Sequence, residues 1–397
     1  MLMRICLFRI LSVIIVLFFT AGSVSASESE VDVTKIERIP DYSVELSAED
    51  FEEYSDIYTE QPLNDKFLAY QVRLPKGWSR VEIGLNSVNR KSDENENRFE
   101  TDDGTGIPQK ISRRFLGEIA KYYGPGRIEE LSRFEIKAQE LDYEITAKNW
   151  FMHEVLLQGY TLEGLKVISD RRVEALYVVV EKDTAFIVRS AVEMNGPRIV
   201  VSSYYVPEIH WMKERAYQQR AIESFNFVAP ESVKIEKMRE HMFLDLLSFE
   251  YPASWKLVAP SIFSTESMEA KLLRSKDNKI LNGEIHINIV SSEFTNAVAD
   301  EIQYIKDSME SRGLTLGKLL GTREDYHLNE DVYYAHVEQY EATNQSGYLG
   351  YELWIAIMEE ERYYYVLTLL TPSRRGDFYM WAQNEETFRR VIQSFKP

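Results

Sequence analysis

The chain has 397 residues and one cysteine, Cys6, which lies ahead of the first apolar run. Beyond that run there is no thiol to form a disulfide or a thiolate metal site. A lipoprotein signal would place a cysteine at its cleavage point, and none is there. The usual chemical motifs are missing too: Gly-x-Ser-x-Gly, His-Glu-x-x-His, Gly-x-Gly-x-x-Gly and a phosphate loop do not occur. Gly104-Thr105-Gly106 lacks a third glycine and a preceding strand, so it reads as loop. The six histidines (His153, His210, His241, His286, His327 and His336) include no pair four residues apart, as a helical metal site would need. Basic charge is also short, with 46 Lys and Arg against 64 Asp and Glu for a net −18. That balance argues against nucleic acid and anionic membrane surfaces as partners.

The N-terminus carries Arg4 and Arg9, then an apolar run from Ile10 to Gly22, then the small residues Ser23-Val24-Ser25-Ala26. This is the pattern of a secretory signal peptide (1-26) cleaved after Ala26. An uncleaved anchor is the alternative. With no cysteine in the mature chain, the expected location is periplasmic, or otherwise exported from a bacterium, with no stable membrane insertion after cleavage. Residues 27-65 hold 13 acidic residues against Lys35 and Arg38. This acidic N-terminal arm reads as a solvated, partly disordered leader. Within it, Ser47-Ala48-Glu49-Asp50 has the spacing to cap a short helix through Tyr54. Docking on a basic partner or loose calcium binding are the arm's other readings.

The same punctuation then occurs twice. Leu74-Pro75-Lys76-Gly77-Trp78 returns as Tyr251-Pro252-Ala253-Ser254-Trp255. Gly159-Tyr160-Thr161-Leu162 returns as Gly313-Leu314-Thr315-Leu316, and Ile222-Glu223-Ser224-Phe225 as Ile392-Gln393-Ser394-Phe395. The common order implies two copies of one domain, 66-230 and 231-397, joined near Val228 to Ser232. Each copy opens with a strand, Phe67 to Leu74 or Leu246 to Tyr251, that a proline ends. Trp78 and Trp255 then close one end of a core, with ligand stacking as the less favoured role.

A middle helix follows. Its stripe is Ala147, Phe151 and Val155 in copy one, and Val298, Ile302, Ile305 and Met309 in copy two. Gly159 and Gly313 stand at the helix stops. Strands are expected over 175-181, 184-193 and 198-206, and over 332-339, 350-358 and 362-370. Asn195-Gly196 gives a hairpin signal. Arg198 and Arg362 hold matching places and read as turn-flanking surface residues. Phe388, Val391, Ile392 and Phe395, echoed by Ala221, Ile222 and Phe225 after Trp211, mark a closing helix laid on a core.

The copies differ in length. The stretch from Trp78 to Gly159 is 23 residues longer than that from Trp255 to Gly313. The excess is assigned to an insertion near 88-126, holding the polar run Lys91 to Asn97 and an added amphipathic piece, Ile111 to Tyr123. Copy two is longer by 16 residues between its second and third signals. Such insertions are where function is grafted, or are tolerated surface loops.

With Pro-x-x-Trp after a first strand, a middle helix, an antiparallel meander and a closing Ile-x-Ser-Phe helix, the chain resembles the PsbP-like superfamily. This α/β/α sandwich is shared by the photosystem II extrinsic subunit, a nuclear Ran-import factor and bacterial exported proteins. The resemblance implies an α+β chain of two tandem α/β/α sandwich domains, each an antiparallel sheet with helices on its faces. It also implies a binding or assembly role. No functional residue carries over, because the shared motifs are marks of the fold.

No catalytic, cofactor or metal residue is singled out. Glu284, His286 and Asn288 share one face of a strand, opposite Ile285, Ile287 and Ile289, and read as a solvated face. The pair Glu359-Glu360 reads as turn. The 24 tyrosines include Tyr122-Tyr123, Tyr204-Tyr205, Tyr333-Tyr334 and Tyr363-Tyr364-Tyr365. In a strand such pairs either point one ring outward as an interface anchor or lie in a sheet covered on both faces. The expected function is an exported, non-enzymatic binding or assembly protein acting on an envelope protein partner. A binder of a small apolar ligand or metal ion in a domain or interdomain pocket is the alternative, and a hydrolase a remote one.

Overall fold

Several strands are apolar on both faces. In Arg198–Pro207 and Tyr363–Pro372 nearly every side chain is buried, as in sheets covered on both sides. The computed structural model describes residues 38-83, 115-126, 131-259, 267-276, 280-293, 298-324, 332, 334-344 and 350-396. The expected signal peptide, Lys91 to Asn97, Gly104 to Gly106, His327 and Tyr333 lie outside them. The fold below is that of Glu37–Pro397, a unit separate from Met1–Ile36.

The chain runs through α1 (Ala48–Glu53), β1 (Ser55–Glu60), β2 (Tyr70–Pro75), β3 (Ser79–Arg80), β4 (Phe115–Tyr123), β5 (Arg133–Glu140) and α2 (Ala147–Gln158). It continues with β6 (Thr161–Ser169), β7 (Arg172–Glu181), β8 (Thr184–Asn195), β9 (Arg198–Pro207), α3 (Glu208–Ser224) and β10 (Asn226–Phe227). Then come β11 (Met238–Phe243), β12 (Leu247–Pro252), β13 (Lys256–Val258), β14 (Ser267–Lys276), β15 (Ile280–Ser291) and α4 (Val298–Ser311). The last elements are β16 (Leu314–Arg323), β17 (Tyr334–Asn344), β18 (Gly350–Glu359), β19 (Tyr363–Pro372) and α5 (Phe378–Gln393). The result is an α+β fold of antiparallel sheets with helices against them.

Two seven-stranded sheets have the same order of strands. One is β3-β4-β5-β9-β8-β7-β6 and the other β13-β14-β15-β19-β18-β17-β16. A small sheet, β1-β2-β10, accompanies the first; the β11-β12 hairpin, bridged by Lys396 to Ser248, accompanies the second. Three cores separate the layers. Val200, Tyr204 and Val206 of β9 join Ile222 and Phe225 in one, while Ile199 and Tyr205 of the same strand face another. That second core also holds Phe151 of α2, Ile287 of β15 and Phe388 of α5, so both sheets share it. Ile305 and Met309 of α4 close the third over Leu353, Ile355 and Val366.

The helix stripes lie where their spacing puts them: Ala147, Phe151 and Val155 are buried on α2. Gly159 caps α2 at φ 67° and Gly313 follows α4 at φ 78°, conformations that suit glycine. Tyr204 and Tyr205 are both buried, at 1% and 4% exposure. That pair therefore sits in a doubly covered sheet and is not an interface anchor.

Three expectations are corrected. The acidic arm is not a free leader throughout 27-65. From Ala48 it is folded: Ser47 caps α1 up to Tyr54 as its spacing predicts, Phe51 is buried, and, beyond that expectation, β1 pairs with β2 from Ser55–Pro75 to Glu60–Tyr70. Before it, Asp41 and Tyr42 lie on α3, where Gln219 accepts from Tyr42 N at 2.7 Å and donates to Asp41 at 2.8 Å. That amide, with Ser43, holds the Asp41 carboxyl down at about 2. Second, the amphipathic piece Ile111 to Tyr123 is not an addition. Its Phe115–Tyr123 portion is β4, an integral strand matched by β14, so the extra chain belongs between β3 and β4. Third, Arg198 is no plain surface residue. Its guanidinium bonds Asp65 (2.9 Å) and Glu231 (2.8 Å) and lies 5.1 Å above the Phe67 ring. Beside it, Asn195 bonds Phe67 O, Ala229 O and Glu231 N, so the β8–β9 turn clasps the segment leaving the first sheet. Arg362 is exposed.

Replacing Arg198 by alanine leaves Asp65 and Glu231 without their cation. The expected cost is about 2 kcal/mol, read as a lower midpoint in a urea titration. An unchanged midpoint counts against the clasp.

Candidate functional site

A cavity of about 400 Å³ opens at one end of the first sheet. Its floor is set by the turn after β2, where Pro75 ends the strand and Trp78 folds inward. Trp78 is 7% exposed and leans on Tyr204 of β9, ring centres 4.9 Å apart at 34°. Its carbonyl accepts from Tyr58 Oη at 2.7 Å, which fixes the turn. The third wall is the first half of α3, which contributes His210, Glu214 and Tyr217. These fall at spacings of four and three and so share a helix face.

Gly124, just past β4, lines the cavity and packs against the Trp78 ring. A Cβ there would meet the Trp78 ring at 3.2 Å. Gly124 N donates to Ser132 O at 2.9 Å, which brings Ser132 to the cavity wall. Glu214 Oε2 accepts from Ser132 Oγ at 2.7 Å and from Tyr204 Oη at 3.3 Å. Burial, with Glu214 beside it, pushes the Tyr204 phenol well above its ordinary range, so it stays a neutral donor. Glu214 forms no ion pair among the described residues. No described histidine bonds Ser132 either, so a nucleophile–base–orienter relay is not assembled here. What the walls offer is aromatic surface around a carboxylate.

The second sheet closes the matching place. Pro207 and Pro372 end β9 and β19, and Ser224-Phe225 and Ser394-Phe395 stand at the C-terminal ends of α3 and α5. With Arg133 opposite Tyr205 and Glu284 opposite Leu370, these marks align the two registers. Tyr123 opposite Arg133 then matches Leu273 opposite Glu284. Gly124 therefore corresponds to Arg274, Ser132 to Gly283 and Glu214 to Asn384. Arg274 is 7% exposed; it donates to Asn384 Oδ1 (3.0 Å) and Gln383 Oε1 (2.7 Å) and lies 4.2 Å over the Tyr143 ring. Asn384 in turn donates to Asn282 O and Thr371 Oγ1. Trp255, at 1% exposure, is fully interior. Trp255 thus has the core role expected of it, while Trp78 packs and also borders open space.

The other expected positions are dispersed. Ile285, Ile287 and Ile289 are fully buried, and His286 lies half-buried with Nε2 2.9 Å from Glu269. Burial, then Lys271, lowers the His286 pKa. Arg312 from the end of α4 bonds Glu284 through both carboxylate oxygens, so this face is partly covered rather than simply solvated. His153 stacks on Tyr379 at 4.5 Å beside a smaller cavity of about 150 Å³ between α2 and the start of α5. His241 lies between Phe243 and Phe249. Among the described residues no three His, Cys, Asp or Glu are placed to hold a metal. No described helix is long and apolar enough to cross a membrane.

Reading the sequence alone missed Ser132, His210 and Glu214. The available signal was the repeat itself: counting back from Ser-Phe pairs Glu214 with Asn384, but Gly124 and Arg274 align only through strand register.

No protein-family model matches the chain, and no curated protein matches it. Among solved structures, the cyanobacterial PsbP (CyanoP) of Synechocystis sp. PCC 6803 matches at 12% identity and TM-score 0.29, covering 44% of this chain and 93% of its own. PA94 of Pseudomonas aeruginosa, a protein of unknown function and putative regulator, matches at 14% identity and TM-score 0.20, over 40% and 96%. The Tle4-Tli4 complex matches at 8% identity and TM-score 0.20, over 82% of this chain and 94% of that one. A solved PsbP is thus among the structures this chain is similar to, over about 44% of its length. These likenesses say nothing of activity.

Arg274→Ala should empty the closed site and strand the Gln383 and Asn384 oxygens, at a cost of about 2–4 kcal/mol. Millimolar guanidinium should restore part of the lost thermal midpoint. Rescue no greater than with equal sodium chloride would rule out a guanidinium-shaped cavity.

Proposed function

We propose that the protein is an exported, non-enzymatic binding protein of two tandem α/β/α sandwich domains, in which the first domain holds a small ligand and the second is closed. The supporting observation is the contrast at one register: Gly124 beside a 400 Å³ cleft in the first sheet, Arg274 filling the matching place in the second. The two seven-stranded sheets of identical order, each with a helix on either face, support the tandem reading. Aromatic walls around a few polar groups are the ordinary make-up of a small-molecule site. Export rests on the N-terminal pattern, with cleavage after Ala26 and a periplasmic destination.

A second reading, assembly through contact with an envelope protein, draws on Ile209 and Met212. They are 73% and 64% exposed on α3, next to His210. In that case the occupant of the cleft is a side chain of the partner.

Native mass spectrometry of protein recovered gently from its export compartment tests the first reading. The wild type should carry a small added mass, and its N-terminus should be Ser27. Gly124→Arg, which copies the closed site, should lose that mass, with a near-wild-type circular dichroism spectrum showing that the Trp78 ring has given way to the new Cβ. A wild type that carries no mass, or a variant that keeps it, overturns the ligand reading. A crosslinked envelope protein lost in the same variant would instead favour the second.

A further inference from the structure

We propose that the cleft of the first sheet takes the cationic nitrogen group of an organic ligand, a guanidinium or an alkylammonium, with Glu214 as its counter-ion. This rests on the ligand-binding reading above. Four observations carry it.

Glu214 is a half-buried carboxylate at the cleft wall whose bonds come from two neutral hydroxyls, Ser132 Oγ and Tyr204 Oη, both on Oε2. Oε1 receives no hydrogen bond among the described residues. A partly desolvated carboxylate in this state gains more from an incoming cation than from a neutral donor, because charge-assisted bonds are the stronger ones. Next, the walls are Trp78, Tyr204 and Tyr217, and aromatic faces attract cations, tryptophan most of all. Lys76 reaches the same cleft but is exposed at its rim, and its Nζ makes no ion pair among the described residues.

The third observation is internal. In the second sheet the matching place is occupied by the guanidinium of Arg274, bonded to Asn384, the counterpart of Glu214, and seated over an aromatic ring, Tyr143. The scaffold thus already accommodates such a group at this register. Where the cation is built in, the facing residue is a neutral amide. Where Gly124 removes it, the facing residue is a carboxylate. The last observation is the whole-chain charge of −18, which favours approach of cations.

The test is calorimetric titration at pH 8. Argininamide and agmatine are the cationic probes, citrullinamide the neutral near-isostere, and Gly-Arg-Gly-amide the peptide form. Argininamide should bind about tenfold or more tighter than citrullinamide, the step expected for a charge-assisted over a neutral bond in a partly dry site. Glu214→Gln, which still accepts from Ser132, should erase that preference while its thermal midpoint stays near wild type. Gly124→Arg should abolish binding of both probes and serves as the second variant.

Equal or tighter binding of citrullinamide overturns the proposal, as does a preference that survives in Glu214→Gln or an absence of binding by every probe. Its failure is distinct from failure of the ligand reading. A neutral or anionic native mass lost in Gly124→Arg would keep the cleft as a binding site and reject the cation. Within success, tighter binding of the tripeptide than of argininamide identifies a basic side chain as the source, and the reverse identifies a free amine or guanidine.

Discussion

The structure depends on strands that must be dry on both faces. In β8 and β9, and again in β18 and β19, apolar side chains point both ways from the sheet. A sheet of that kind is stable only when each face is covered. α3 and the small β1-β2-β10 sheet cover one face of the first sheet, and α2 the other. α5 and α4 do the same for the second. Because α2 and α5 meet, the inner cores merge into one cluster. Charge then stitches the seam: Arg389 bonds Asp170, and Arg390 reaches Glu144. Glu144 also accepts from Ile235 N, so the segment between the sheets is tied to the same place.

Two sheets of the same strand order let one register be compared under two solutions. Burying a guanidinium is costly unless its donors are used. Arg274 meets that condition with two amide oxygens and a ring face, although burial still lowers its pKa. A carboxylate at the Asn384 position would have met Arg274 as a buried ion pair, whose desolvation often cancels its attraction. The neutral amide avoids this and spends its nitrogen on Asn282 and Thr371. Without Arg274 the constraint reverses. At the Gly124 register Glu214 makes no ion pair among the described residues, so its carboxylate is open to an outside partner.

Much of the fold was legible because its signals are local. Helix stripes, the Gly159 and Gly313 stops, and the proline-ended strands follow from periodicity and backbone chemistry within a dozen residues. Even the hairpin signal needed adjustment: Asn195 pairs with Arg198, leaving Gly196-Pro197 as the turn, and the Asn195 side chain is used to hold the following segment. The errors came from long-range pairing. β4 passes for an amphipathic insertion because only its pairing with β5 makes it a central strand. β1 sits in an acidic stretch whose composition suggests solvent, yet its backbone completes the edge of β2. Arg198 gains its partners from residues 133 and 33 positions away. The cleft was least legible of all, because the residues that line it, from Pro75 to Tyr217, come together only through the pairing of β4 with β5 and the packing of α3.

The arm's placement bears directly on the cleft. Tyr42 stands edge-on to Trp211 at 5.9 Å, and Arg215 bonds Glu45 while covering the Tyr42 ring. Arg220 donates to the carbonyls of Ser43 and Leu46. Phe51 of α1 meets the Tyr217 ring at 6.2 Å, and Tyr217 is itself a wall of the cleft. Every one of these contacts falls on α3, the helix that carries His210, Glu214 and Tyr217. A helix held only by its inner face could roll about its axis; one gripped on its outer face as well keeps its side chains in fixed directions. The acidic segment is thus part of the support that aims Glu214 into the cavity.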